Sequence, residues 1–183
     1  MSKRIALFAG VAFSALALTS TFVAPARAEE KTVMVGGAAM YPSKNIIQNA
    51  VNSKDHTTLV AAVKAAGLVE TLEGKGPFTV FAPTNAAFGK LPAGTVDTLV
   101  KPENKPTLTK ILTYHVVAGK LDASDLTDGK MLTTVEGEQL TVRNSGGSIS
   151  IVDAKGGVSR VTIPNVNQSN GVIHVVNSVL LPG

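Results

Sequence analysis

The stretch from Gly76 to Phe88 most constrains how this chain can fold. Its bulky residues from Phe78 to Phe81 favour a buried strand, and Pro83 ends that strand. Thr84 then offers a hydroxyl to the free backbone N–H groups at the start of a helix. Three of the six Phe residues of the chain fall here, and the chain has no Trp. We therefore predict that this strand and helix form the hub of the hydrophobic core.

The first 28 residues have the pattern of a secretory signal peptide. A basic start at residues 3–4 precedes an apolar run from Ile5 to Leu18, and residues 26–28 are a small-x-small cleavage motif. An uncleaved membrane anchor is the alternative, but the run is shorter than the ~20 residues of a bilayer span. We expect cleavage after Ala28 and a secreted product, periplasmic or extracellular, without a membrane span.

The charge balance argues against nucleic acid as a partner. The chain has 17 Lys and Arg residues against 13 Asp and Glu, but the predicted leader holds three of the basic residues, which leaves a net charge of only +1. It has no Cys, so thiol nucleophiles and thiolate metal sites are excluded. The 155 residues that remain after cleavage suit one domain, which we expect to be a monomer or a weak oligomer.

Helical patterns precede strand patterns along the chain. Residues 29–44 carry turn signals and are predicted to be an extended arm that packs only in part on a domain of residues 45–183. A short helix is predicted at residues 45–51, and a longer helix is predicted to end at Gly67. A third helix begins near Pro106, with an apolar stripe formed by Leu108, Ile111, Leu112, His115 and Val116.

From Lys130 onward, short segments rich in Val, Ile and Thr alternate with turn signals, which predicts antiparallel strands. Asn170-Gly171 is typical of a type I′ hairpin turn, and residues 172–176 are predicted to form a central strand. Because the helices come first and the strands follow, the sequence predicts an α+β fold with helices covering part of a sheet or wedge-shaped sandwich.

Three segments resemble signature segments of the fasciclin (FAS1) domain family. Gly76 to Phe88 resembles the first signature box, Asn170 to Pro182 resembles the second, and Leu112 to Val117 resembles the tyrosine–histidine segment between them. They occur in the family's order within residues 45–182. The resemblance implies a FAS1-like wedge of two packed β-sheets with several helices against them. It also implies adhesion or interaction with a cell-surface or matrix protein or glycan, without catalysis and without a cofactor.

Tyr114 and His115 are the candidate binding residues, because this segment is tied to integrin binding in animal relatives. The residues alone leave two interpretations of His115 open. It lies on the apolar stripe, where a core histidine with a pKa lowered by burial is the alternative to a ligand contact. Tyr114 falls off the stripe, so we expect its ring to be exposed at the surface.

The sequence shows no catalytic or metal-binding pattern. It has neither a Gly-x-Ser-x-Gly elbow nor a phosphate-binding glycine loop, and Asp122, Asp125 and Asp128 lack the glycine placement of a calcium loop. His174 lies on an apolar strand, and His56 is expected to be solvated. We predict no enzyme activity and no metal. The alternative function is a periplasmic carrier or sensor of a small apolar ligand, which requires a concave apolar pocket.

Overall fold

The structure is a computed structural model that describes residues 31–183; the predicted signal peptide at residues 1–28 lies outside this part of the chain. The strands are β1 (Val33–Val35), β2 (Ala38–Met40), β3 (Phe78–Pro83), β4 (Val116–Ala118), β5 (Met131–Thr133), β6 (Gln139–Ser145), β7 (Ser148–Val152), β8 (Val158–Gln168) and β9 (Gly171–Val176). The α-helices are α1 (Ile46–Ala50), α2 (Thr57–Ala66), α3 (Val69–Glu73), α4 (Asn85–Phe88), α5 (Thr95–Leu99) and α6 (Lys105–Tyr114). Short 3-10 helices span Lys54–His56, Pro102–Asn104 and Ala123–Asp125.

Seven strands form a closed wedge in the order β4-β3-β9-β8-β7-β6-β5. The long strand β8 belongs to both halves of the wedge, because residues 158–160 pair with β7 and residues 161–168 pair with β9. Register shifts between Val161 and Val166 mark where β8 passes from one half to the other, as bulges do. A bridge between Val117 and Thr134 joins the edge strands β4 and β5. The α+β wedge predicted from the sequence is confirmed.

The hub predicted around β3 is confirmed. Phe81 is fully buried, and its ring stacks on His174 with the ring centroids 5.7 Å apart. The Thr84 hydroxyl accepts a hydrogen bond of 3.2 Å from the Ala87 N–H and so caps α4. Strand β3 pairs antiparallel with β4 but parallel with β9, and local sequence patterns do not predict that parallel pairing.

The turn before β9 is shifted by one residue from the prediction. Its two turn residues are Ser169 and Asn170, and Gly171 already pairs with Gln168 in β8. Glycine is required at position 171 for another reason, because a Cβ there would lie 2.0 Å from the carbonyl oxygen of Phe78. The glycine therefore permits the close approach of β9 to β3 rather than the turn.

Asn170 ties the turn to the helices. Its amide oxygen accepts a hydrogen bond of 3.1 Å from the Ile46 N–H. Its amide nitrogen donates to the carbonyl oxygens of Leu72 and Gly74, at 2.7 and 2.9 Å. One buried side chain thus links β9 to the start of α1 and the end of α3, which explains an asparagine here without a hairpin role.

The segment predicted to be an extended arm forms a β-hairpin instead. Gly36 and Gly37 both have positive φ angles, of 57° and 75°, which glycine adopts without a steric cost. Their turn lets β1 pair with β2. Val35 and Met40 then point inward, and both are buried against α1 and α2.

Helix α6 ends earlier than its apolar stripe predicts. Leu108, Ile111 and Leu112 are buried, as expected. His115 is the C-cap, however, and Val116 begins β4. The stripe continues across the helix end because β4 packs against the same core.

The interior consists of two clusters of buried apolar residues. The first core, between the helices and β3, β8 and β9, contains Val35, Met40, Ile46, Ile47, Leu59, Ala62, Val63, Ala66, Leu72, Val80, Ala82, Phe88, Leu108, Leu112, Val116, Val166, Ile173 and Val175. The second core, inside the wedge, contains Phe81, Tyr114, Val117, Leu126, Leu132, Leu140, Val142, Ile149, Ile151, Val176 and Leu180. Between residues 31 and 183, none of the helices has the length and apolar character needed to cross a bilayer.

Candidate functional site

Tyr114 lies inside the second core and is fully buried. Its hydroxyl donates to the carbonyl oxygen of Gln139 at 3.2 Å and accepts from the Ala154 N–H at 2.9 Å. Burial also raises the pKa of its hydroxyl. The predicted exposure of this ring is wrong, because the last turn of α6 lies between the two cores and both of its sides are covered.

His115 is a core histidine, as one of the two interpretations predicts. It is 2% exposed. Its Nε2 accepts from the Leu180 N–H at 2.9 Å, so the ring proton is on Nδ1, which donates to the carbonyl oxygen of Ile111 at 2.8 Å. Burial lowers the pKa of His115 to about 4, so the ring is neutral at pH 7. In this folded conformation neither Tyr114 nor His115 is accessible to a partner.

The other two histidines are buried as well. The Nε2–H of His174 donates to the carbonyl oxygen of Leu121 at 2.7 Å. His56 is 3% exposed, and its Nδ1 lies 2.9 Å from the Ser53 hydroxyl. The expected solvation of His56 is therefore wrong, because the β1–β2 turn covers this region through a hydrogen bond from the Lys54 N–H to Gly36. Burial lowers the pKa of both rings.

The acidic residues near position 125 stabilise the backbone. The side chains of Asp122 and Asp125 form a capping box around the 3-10 helix at Ala123–Asp125. Asp128 accepts from the Asn144 N–H at 2.9 Å. Within residues 31–183, no three residues of the types His, Cys, Asp or Glu converge on a possible metal position.

The outward side of β5 to β8 is an exposed surface. Strict alternation buries Leu132, Leu140 and Val142 in the second core and turns their neighbours outward. The strand register then places four outward residues in one row, Met131, Thr141, Val152 and Val158. The two ends of this row are well exposed, Met131 at 59% and Val158 at 53%.

A second row with a different chemistry runs beside the first. It contains Arg143, Ser150 and Arg160, which the register aligns across β6, β7 and β8. Both arginines are exposed, and neither forms an ion pair with a carboxylate of residues 31–183. We call these two rows together the outer face; it combines a largely apolar row, in which Thr141 is the one polar residue, with two positive charges that lack a carboxylate partner, and neither row contains an acidic residue.

Two apolar hollows border the first core. An enclosed cavity of about 40 Å3 lies between the helices and the sheet, and His56 and His115 are among its lining residues. A larger cleft of about 200 Å3 opens between α5, α6 and the C-terminal segment. Most of its lining is apolar and includes Phe88, Leu91, Leu99, Leu108, Ile111 and Leu181.

Sequence reasoning missed both the outer face and the cleft. The alternation in Gln139, Thr141 and Arg143 is visible in the sequence and indicates one solvent-facing side of a strand. The cross-strand alignment of Met131 with Val158 requires the register of four strands, which no local signal provides.

Comparisons with known proteins agree with this geometry. The Fasciclin domain profile matches residues 54–182. The chain is 45% identical to Protein sll1483 of Synechocystis sp. over 99% of this chain and 97% of that protein. It is 36% identical to Immunogenic protein MPB70 of Mycobacterium bovis, over 94% and 88% of the two chains. It is 37% identical to Cell surface glycolipoprotein MPB83 of the same species, over 81% and 64%.

The fold also matches a solved structure. A FAS1 domain pair from the insect cell adhesion molecule fasciclin I superposes with a TM-score of 0.68 at 19% identity, covering 77% of this chain. The chain spans about half of that protein, 52% of its length. At this identity the match shows a shared fold alone.

Proposed function

This chain belongs to the fasciclin family, and from that premise we propose that it is a secreted, non-catalytic module for adhesion at the cell surface or in the extracellular matrix. Supporting this proposal, one relative is named a cell surface glycolipoprotein, and the matching FAS1 pair comes from a cell adhesion molecule. The signal-peptide pattern at residues 1–28 supports export of the chain.

We place the adhesive contact on the outer face rather than at Tyr114 and His115. The observation that carries this choice is accessibility: Met131 is 59% exposed and Val158 is 53% exposed, whereas the tyrosine–histidine pair is buried. Methionine and arginine are enriched in protein interfaces, and exposed apolar side chains grouped on one face are a feature of interaction surfaces. The rigid second core beneath holds this face in one shape.

The chemistry of the outer face favours an acidic protein as the partner. Arg143 and Arg160 are free to pair with carboxylates across an interface, and the apolar row offers Val152 and its neighbours to apolar side chains. The face has no aromatic ring against which a sugar could stack. A glycan is therefore the less favoured class of partner, and the binding test includes polysaccharide to check this.

The adhesion experiment compares two pairs of substitutions with a matched control. Met131→Asp combined with Val158→Asp disrupts the apolar row, and Arg143→Glu combined with Arg160→Glu reverses the charge. Met34→Asp is the control, because Met34 is also 59% exposed but lies on the β1–β2 hairpin. Binding to cell-envelope and matrix proteins is measured by surface plasmon resonance, and folding is checked by thermal melts.

We expect each outer-face pair to weaken binding about tenfold or more, because a few apolar and arginine contacts dominate the energy of interfaces. The charge reversal should mainly slow association and reduce its salt dependence. The control should bind like the unmodified chain. Equal binding by all variants would reject the outer face, and binding to isolated polysaccharide but not to protein would reject the partner class. Absence of binding to either would reject adhesion.

The second candidate function is a carrier of a small apolar ligand. The enclosed cavity of about 40 Å3 is too small for such a ligand. The cleft of about 200 Å3 beside α5 is the observation that favours this function.

A further inference from the structure

We infer that the cleft beside α5 is a binding site for a single-chain amphiphile, with its hydrocarbon chain in the cleft and its anionic head next to Lys90. This inference rests on the carrier function proposed above and is independent of the adhesive role of the outer face. Three features of the cleft lead to it: its lining, its shape and the charge at its mouth.

The lining of the cleft is mostly apolar and therefore suits a hydrocarbon chain. Phe88, Leu108 and Ile111 form a buried floor, and Leu91 and Leu181 form a half-buried rim. His115 is one of the few polar side chains of the lining, and both of its ring nitrogens are already hydrogen-bonded to the backbone. A polar group of a ligand would lose its hydration inside the cleft without gaining a partner, so the enclosed part of the ligand must be apolar.

The shape of the cleft favours a slim chain. A volume of about 200 Å3 lies below the ~300–1,000 Å3 of sites that take drug-sized molecules. One wall is α5, a short helix without a single buried residue. A second hollow, of about 310 Å3, lies against the same helix and shares Thr95 and Leu99 with the cleft. Because α5 has open space on two sides and packs against the first core only through partly buried residues, it can shift outward for a longer chain.

The mouth of the cleft carries an ammonium group that lacks a carboxylate partner. Lys90 Nζ donates to the carbonyl oxygen of Asn177 at 2.6 Å and to the Ser178 hydroxyl at 3.3 Å. These residues directly precede Val179, which lines the cleft, and Lys90 directly precedes Leu91, which lines it from the other side. Both of the acceptors at Lys90 Nζ are neutral, and no ion pair to this group is found within residues 31–183.

Lys110 on α6 differs from Lys90 because it does have carboxylate partners. Its Nζ lies 3.1 Å from a Glu138 carboxylate oxygen and 3.7 Å from a Glu136 oxygen, so its charge is compensated within the protein. The charge of Lys90 is not compensated in this way, so its ammonium group is available to an incoming anion, and an anionic head would form charge-assisted hydrogen bonds with it. A carboxylate and an alkyl sulfate share this chemistry, and the experiment includes both.

The test measures binding of decanoate, decyl sulfate and 1-decanol to the mature chain by titration calorimetry, below the micellar concentrations. Lys90→Met removes the charge at the mouth and keeps an apolar side chain of similar length. Lys64→Met is the control, because Lys64 is an exposed lysine on α2 that does not line the cleft. Leu99→Trp fills the cleft from its half-buried wall, where a larger side chain does not strain the core.

We expect one site per chain, with Lys90→Met weakening both anions roughly fivefold to tenfold and leaving 1-decanol unchanged. The Lys64→Met control should leave all three affinities unchanged, and Leu99→Trp should abolish binding of all three. The inference fails if the unmodified chain binds none of them, or if Lys90→Met does not alter the preference for anions over 1-decanol. It also fails if a folded Leu99→Trp variant binds normally. The outer-face pairs should bind decanoate normally, so failure of adhesion and failure of this site are distinguishable.

Discussion

The two cores of this domain differ in how completely they enclose their side chains. In the second core Phe81, Leu140 and Ile151 are fully buried, and the single hydroxyl of Tyr114 has both a donor and an acceptor partner. The first core borders a cavity of about 40 Å3 and a larger cleft of about 200 Å3.

If the domain has the two functions proposed above, this difference assigns each of them to one core. The second core lies directly under β5 to β8, so its close packing holds the outer face in one shape, which lowers the entropic cost of binding a partner. The first core underlies α4 to α6, where short helices and loops leave room for a ligand. Tight packing therefore accompanies the proposed adhesive face, and loose packing accompanies the proposed amphiphile site.

The largest expected effect comes from truncating one phenylalanine in each core. Phe81→Ala should destabilise the domain by about 5 kcal/mol, and Phe88→Ala by about 3 kcal/mol. Phe81 is fully buried and borders only the cavity of about 40 Å3, whereas Phe88 lines the cleft of about 200 Å3, where neighbouring groups and water can fill the space. Urea denaturation of both variants tests this order. Equal losses would contradict the comparison of the two cores, and almost no loss for Phe81→Ala would remove the hub from the core.

Acid should destabilise the domain through its buried histidines. In the unfolded chain His115 titrates near 6.5, whereas burial lowers its pKa to about 4 in the folded domain. Below pH 6.5 the unfolded chain therefore binds a proton that the folded chain excludes. The contribution of His115 to stability is complete above pH 6.5 and falls by about 3 kcal/mol as the pH approaches 4.

Urea denaturation at pH 7.5, 5.5 and 4.5 measures this loss. His56 and His174 add to it in the same direction, because burial lowers the pKa of each. The pKa of Glu138 is also lowered, by the Gly183 N–H and Lys110, but its protonation costs stability only at lower pH. His115→Gln, although less stable at neutral pH, should show a flatter dependence. An equally steep dependence in that variant would exclude His115 as a cause.

Local structure was predictable because its signals are close together in the sequence. The capping hydroxyl of Thr84, the C-cap at Gly67 and the apolar stripe of α6 each act within a few residues of the structure they specify. The signature boxes that predicted the wedge are explained in the same physical terms: Phe81 fills the second core, and Gly171 allows β9 to approach β3.

Features that depend on distant neighbours were not predictable. The helical pattern places Tyr114 off the apolar stripe, and only the second core, built from strands later in the chain, shows why it is buried. The prediction that His56 is solvated was wrong because the β1–β2 hairpin, which lies outside the local sequence around His56, covers its ring. The outer face and the cleft likewise exist only once the strands and the C-terminal segment have packed together.

Tyr114→Phe tests whether the polar group inside the second core is as well satisfied as the packing suggests. The substitution keeps the ring but leaves the Ala154 N–H and the carbonyl oxygen of Gln139 without their partner. Stability should fall by about 2 kcal/mol, while binding through the outer face is unchanged. A thermal melt and the adhesion assay measure the two quantities. Unchanged stability with lost adhesion would mean that Tyr114 acts in binding and not in packing.

The smallest expected effect comes from adding one methyl group to each core. Val63 lines the enclosed cavity, so Val63→Ile should stabilise the domain by about 0.5 kcal/mol, because the added methyl fills empty space. Val142 is fully buried in the second core, so Val142→Ile should destabilise by about 1 kcal/mol through overpacking. Both substitutions add the same methyl group, so stability changes of opposite sign would report the packing around each valine and not the chemistry of the substitution. If both variants lose stability, the cavity beside Val63 cannot accept a methyl group, and the first core is then packed as tightly as the second.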